Sequence, residues 1–183
     1  MRRRSGGTGQ TLPEHLLDAD GIRRHLREVA AELPAESRFE VVLVGGALMA
    51  LHGLRDSTVD VDSVRSINAR LRAAVAVVAE RHGLSSRWLN DSSRPFVPET
   101  LDVARCDVVL DLPGLRVLGA PLREVFVMKV YAARTRDVAD LPLLWKVCGY
   151  TDVAEAVEHF RRAYPDEPGD PYLESWLRSV VGG

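Results

Sequence analysis

Two adjacent glycines, Gly45 and Gly46, stop a β-branched run, and Asp60-Val61-Asp62 follows fourteen residues later. Residues 39–44 (Phe-Glu-Val-Val-Leu-Val) read as a short strand, and Ala-Leu-Met-Ala-Leu-His reads as a short helix closed by Gly53. The unit is therefore strand, glycine turn, helix, in which bare backbone N–H groups and the positive helix end can hold a phosphate. Plain turn geometry is the commoner explanation of a glycine pair after a strand. Residues 57–62 alternate polar and apolar, which predicts a strand with one buried face and puts Asp60 and Asp62 on the other, about 6 to 7 Å apart. Two such carboxylates repel each other unless a cation or a basic group compensates, and Mg²⁺ does so while also taking phosphate oxygens. A solvated edge strand is the alternative.

The rest of the chain predicts a helix over 20–33 with Asp18 or Asp20 as its cap and Pro34 beyond it. A second helix is expected over 63–82 with Gly83 as its stop, turn chemistry around Trp88 over 86–95, and a strand over 105–111 ended by Pro113-Gly114. Helices follow over 122–134, 138–147 and 152–163, the last capped by Thr151, and over 171–181, with Asp170 as cap and Pro171 at the first position. Strands cluster in 39–118 and helices dominate from 121 onward, which implies an α+β fold with a short mixed sheet. The expected organisation is a flexible arm over 1–11, a core over 12–120 and a helical part over 121–183 packed on that core.

At 183 residues with 46% hydrophobic and 27% charged content, the chain builds a core without staples. No stretch approaches a membrane span and the start lacks an apolar signal core, so a cytoplasmic protein without a membrane partner is expected. Cys106 and Cys148 stand far apart without CxxC spacing and read as buried thiols, and the five histidines show no HExxH or paired spacing and read as surface or half-buried helix residues. The net charge of -2 exerts no global pull on nucleic acid. Of the 24 basic residues 22 are arginine, which singles out Lys129 and Lys146. Lys129 falls among Val125, Phe126, Met128 and Val130, where a bare ammonium is expensive and needs an anion, either a triphosphate or the acidic pair; a lysine snorkelling from the helix edge is the alternative. Asp137 and Asp140 stand three apart, and a helix cap accounts for Asp140 without any function.

Taken together, Gly45 through Asp62 resembles the signature of the nucleotidyltransferase superfamily, the fold of DNA polymerase beta. Gly-Gly-Ala, Leu-His-Gly-Leu-Arg (51–55), Thr-Val-Asp-Val-Asp (58–62), Trp-Leu-Asn-Asp (88–91) and Met-Lys through Arg-Asp-Val-Ala-Asp-Leu (128–141) are similar to the small AbiEii-like nucleotidyltransferases of type IV toxin-antitoxin operons. The resemblance covers most of residues 39–160. It implies a nucleotidyltransferase-like core, Mg²⁺ as cofactor, an NTP substrate and an acceptor hydroxyl, with the tRNA 3′ end as the leading acceptor and a cognate antitoxin as partner. It further implies that Lys129 contacts the triphosphate and that Asp137 works near the acceptor as base; the Gly45 and Gly46 amides are the other nucleotide-binding candidates, with Arg55, Thr58 or Ser57 able to replace the contact that Ala47 lacks. Asp60 and Asp62 would hold the metal, joined by a third carboxylate from a neighbouring strand. Asp107 is the choice for that third ligand, because alternation places it with Val109 and Asp111 on one face, and Asp111 is the fallback. Arg134, Arg136, Arg161, Arg162 and the basic arm Arg2-Arg3-Arg4 are candidates for phosphate contacts. Ala47 stands where the superfamily often has serine, which removes one phosphate contact. Two alternatives stay open: transfer to a protein or small-molecule hydroxyl, and a catalytically silent nucleotide-binding module.

Overall fold

A computed structural model of the chain describes residues 15–132 and 135–182, with backbone alone at Thr135 and Arg136. The expected arm over 1–11 and the side chains of Arg134 and Arg136 lie outside the described residues. The architecture is α+β, built on a five-stranded mixed sheet in the order β3-β2-β1-β5-β4.

Strand β1 (Arg38–Val44) is central, and Val41 through Val44 are all buried. It pairs antiparallel with β2 (Val61–Ser63) and parallel with β5 (Gly114–Gly119). On the outer sides, β3 (Leu89–Asn90) runs parallel to β2, and β4 (Asp107–Leu112) forms a hairpin with β5. The hairpin turns at Gly114, whose φ of +82° and 2.9 Å clearance from the Pro34 carbonyl leave no room for a side chain.

Helix α1 (Ala19–Ala31) starts behind Asp18, whose carboxylate accepts from the Gly21 amide at 2.7 Å, and buries Ile22, Leu26, Val29 and Ala30. Helix α2 (Gly45–Leu51) leaves β1 directly. Strand β2 is shorter than the alternation over 57–62 implies. Thr58 instead makes an isolated bridge to Leu17, with backbone hydrogen bonds of 2.7 and 2.9 Å, so only the end of that alternating run joins the sheet. Helix α3 (Ala69–His82) begins later than expected, capped by Asn68, because Ser63 Oγ accepts from the Val42 and Arg65 amides and holds residues 63–65 in a turn. The expected turn region around Trp88 contains β3, too short for period-2 patterning to reveal; Trp88 is buried and donates to the Val75 carbonyl at 3.3 Å.

The helical remainder is α4 (Leu122–Ala132), α5 (Thr135–Val138), α6 (Leu141–Cys148), α7 (Val153–Ala163) and α8 (Leu173–Val181). The helix expected over 138–147 starts later, as α6 at Leu141, while Val138 ends the short α5; α6 is closed by the left-handed Gly149. The cap of α7 is Asp152 rather than Thr151; Glu155 accepts from the Thr151 amide at 2.7 Å and returns its own amide to Asp152 at 2.8 Å. Asp170 accepts from the Tyr172 amide, and α8 proper starts two residues after Pro171.

Helix α4 runs buried through Glu124–Val130, and its polar members are all matched. Glu124 accepts from Thr100 at 2.6 Å and lies 3.3 Å from His159, whose other ring nitrogen meets the Tyr150 hydroxyl at 2.7 Å. His159 and His25 are therefore buried, contrary to the expectation of surface or half-buried positions. Among the described residues no helix is long and apolar enough to cross a membrane.

Candidate active site

The end of β1, the start of β2, β3 and helix α4 enclose a cavity of about 710 Å³. Gly45, Gly46, Arg55, Thr58, Asp60, Asp62, Lys129 and Asp137 all line it. Of the nine residues assigned nucleotide, metal or base roles from the sequence, all but Asp107 thus converge in one place.

The register explains how. Asp62 sits opposite Val44, so the acidic strand passes beside the residue at which β1 turns into α2. Gly45 has φ +64°, and a Cβ there would lie 3.3 Å from Asp62 Oδ2. A Cβ on Gly46 would lie 2.8 Å from Thr58 Oγ1 and 3.2 Å from Arg55 Nη1. The two glycines are absent side chains that let a carboxylate, a hydroxyl and a guanidinium close on the turn. Gly45→Ala is expected to destabilise the fold by about 1–2 kcal/mol through the left-handed backbone alone. It should also crowd the Asp62 carboxylate. Gly53→Ala is the control, since Gly53 has φ +69° and nothing within 4 Å of its Cβ position. Urea denaturation should show the larger loss at Gly45; equal losses would mean that the approach to Asp62 is immaterial.

Lys129 is 7% exposed, which excludes the snorkelling alternative. Among the described protein groups its anions are Asp137 and Asp140 rather than the Asp60/Asp62 pair. Lys129 Nζ donates to Asp137 Oδ1 at 2.8 Å and also lies 2.8 Å from Asp140 Oδ2, which Arg55 approaches at 3.5 Å. Asp140 occupies the N-cap position of α6 but accepts no cap hydrogen bond. Its carboxylate serves the ammonium instead, and the capping explanation for Asp140 does not hold. Two cations and two carboxylates thus balance at the cleft, three of them lining it and Asp140 buried behind.

Asp107 is the residue that does not join. It pairs with Gly119, Gly119 pairs with Leu43, and Leu43 pairs with Ser63, so Asp107 shares a row with Ser63 on the sheet face opposite Asp62. It also stands three strands from β2, about 14 Å at the usual interstrand spacing. A bulge between Val108 and Leu110 breaks the alternation that grouped Asp107 with Asp111. Asp111 returns to the Asp62 face, but opposite Arg116 and in the row of Glu40, at the far end of β1. The residue that β3 sets directly beside Asp62 is Asn90, which is buried, lines the cleft and accepts from the Ser92 amide at 2.9 Å. Its neighbour Asp91 is used structurally, accepting from the Ile67 amide at 3.1 Å. Arg87, Ser92 and Ser93 also line the cleft and carried no sequence signal beyond their place in a turn-rich stretch.

Asp60 and Asp62 line the cleft beside Asn90 and carry hard carboxylate oxygens, the donor chemistry that Mg²⁺ takes, and the missing Cβ at Gly45 leaves the approach to Asp62 open. Ala47 is buried and does not line the cleft. The hydroxyl beside the glycine turn belongs to Thr58. Of the free thiols, Cys148 is buried and burial pushes it up to about 12, while half-buried Cys106 is raised too, first by burial and then by Asp102; neither lines the cleft. Arg161 and Arg162 are exposed and pair with Glu158 at 4.0 and 3.6 Å.

A strand-turn-helix unit facing two carboxylates, Asp62 on β2 and Asp60 just before it, with a lysine delivered by a later helix, defines a nucleotidyltransferase core. The chain belongs to the family described as nucleotidyltransferase of unknown function (DUF6036), whose family model matches residues 23–155. No curated protein and no solved structure matches the chain.

Proposed function

We propose that the cleft moves a nucleoside monophosphate from an NTP to an acceptor hydroxyl, with Mg²⁺ held by Asp60 and Asp62. The observation that carries this reading is the convergence of the glycine turn, both aspartates, Arg55, Thr58 and Lys129 on one cavity of about 710 Å³, a volume that suits a nucleotide. A bound Mg²⁺ would supply charge neutralisation at the phosphates.

Arg55 and Lys129 orient the triphosphate. Lys129 keeps one of its three N–H donors beyond the two carboxylates that hold it. The acceptor oxygen forms its bond to the α-phosphorus as the bond to the β-phosphate bridging oxygen breaks, and pyrophosphate leaves. Asp137, lining the cleft through α5, takes the acceptor proton. The acceptor we favour is the tRNA 3′ end, in a toxin whose partner is a cognate antitoxin. The resemblance of the motifs at 58–62, 88–91 and 128–141 to AbiEii-like enzymes supports it, and Arg55 and Arg87 supply positive charge at the cleft.

The second reading is a silent nucleotide-binding module, favoured by Asn90 standing where a third carboxylate would sit. Incubation with each labelled NTP, Mg²⁺ and either total tRNA or cell protein separates the possibilities. Label in tRNA is the expected result. Label in protein would move the acceptor to a protein hydroxyl, and nucleotide binding without any transfer would establish the silent module.

A further inference from the structure

Outside the cleft, His25 and Glu28 of α1 and His82, the last residue of α3, bring three ligand atoms within 4.8 Å of one another. His82 Nε2 meets Glu28 Oε2 at 2.5 Å, while His25 Nδ1 lies 4.0 Å from Glu28 Oε1, too far for a hydrogen bond. The His25 side chain is 4% exposed, and its Nδ1 is buried without any hydrogen-bond partner. A buried polar atom left unmatched is costly; among the described residues the other such side-chain atom, Asp140 Oδ2, has the Lys129 ammonium 2.8 Å away, whereas His25 Nδ1 has no compensating charge bonded to it. The two imidazole rings sit 4.4 Å apart, with the edge of His25 against Trp88, so packing fixes their orientation.

We propose that His25, Glu28 and His82 bind a divalent transition-metal ion of the Zn²⁺ class, which ties α1 to α3. Two imidazoles and one carboxylate form a His₂Glu set, a three-ligand arrangement that zinc takes with water in the fourth position, whereas Mg²⁺ disfavours imidazole. Tetrahedral bonds of normal length separate the ligand atoms by about 3.4 Å, a spacing that fits inside the 4.8 Å within which the three atoms lie here. A ligating histidine must be neutral.

A second cavity of about 470 Å³, lined by His15, Asp18, Asp20, His25 and His82, supplies the entry route and room for the water. Arg81 contacts Glu28 at 3.5 Å but holds Glu32 at 2.6 Å, so the ion displaces only the longer of its two contacts. From His82 the chain runs directly into Gly83, Leu84, Ser85 and Arg87, which form a wall of the nucleotide cleft. The ion therefore anchors that wall from behind.

The test uses the full, tag-free chain stripped with chelator and titrated with Zn²⁺ against a chromophoric competitor. One ion per chain with a dissociation constant below about 1 μM and a raised melting temperature is expected. His82→Asn and Glu28→Gln should each weaken binding at least about 100-fold, while Asp62→Asn leaves it unchanged. His82 ends its helix with its side chain 30% exposed, so His82→Asn should keep the native circular dichroism. Binding weaker than about 100 μM, affinity unaltered in His82→Asn and Glu28→Gln, or loss of the ion in Asp62→Asn would each overturn the site.

Discussion

Asp62→Asn is expected to lower nucleotide transfer by about 10³-fold, equivalent to roughly 4 kcal/mol of transition-state stabilisation. The substitution preserves shape and removes the negative charge from the carboxylate nearest the glycine turn. Asp62 is half-buried at the cleft surface, so the cost in stability should stay within about 1 kcal/mol. Activity and stability should therefore separate. Initial rates of labelled-NTP incorporation measured beside a urea unfolding curve check both halves. A transfer rate equal to that of the unsubstituted chain would remove the metal-assisted reading of the cleft.

Lys129→Met acts through a different route. Nζ lies 2.8 Å from both Asp137 and Asp140, whose side chains are only 14% and 9% exposed. Methionine fills the volume but leaves two nearly buried carboxylates facing each other, with Arg55 3.5 Å from one of them. Removing one member of a buried ionic set costs about 3–5 kcal/mol, because the remaining charges lose their compensation. Urea unfolding should show that loss, and NTP affinity should fall with it. Adding Asp137→Asn and Asp140→Asn to Lys129→Met should recover most of the stability while NTP affinity stays low. If Lys129→Met unfolds at the same urea concentration as the original chain, the ammonium is not holding α4 to the segment that carries Asp137 and Asp140.

Much of the site was legible because its signals are local. A β-branched run, two glycines and an Asp-x-Asp alternation each depend on neighbours a few positions away, and the structure gathers Gly45, Gly46, Arg55, Thr58, Asp60, Asp62, Lys129 and Asp137 around one cavity. Lys129 was conspicuous for chemical reasons: an ammonium in an apolar helix stretch demands a partner. Which partner it takes was not legible, since Asp137 and Asp140 reach it only once α5 and α6 fold back on α4. His25 and Glu28 stand three apart on α1, a spacing that puts them on one face, but the third group arrives from residue 82 on another helix.

Asp107 and Asn90 show where local reading ends. Period-2 alternation assumes an unbroken ladder, and one extra residue at the Val109 bulge inverts every face assignment between Asp107 and Asp111. A two-residue strand such as Leu89–Asn90 carries no periodic signal, yet its pairing with β2 sets Asn90 beside Asp62.

The amino-acid order alone determined the α+β class, the glycine turn and its acidic strand, because caps, turns and side-chain alternation follow from interactions within a few residues. Strand order, register and helix docking decided which distant groups share the cleft, which carboxylate stays out of it, and which imidazoles meet. Those choices depend on burying the whole core at once, a condition that no short window of sequence contains.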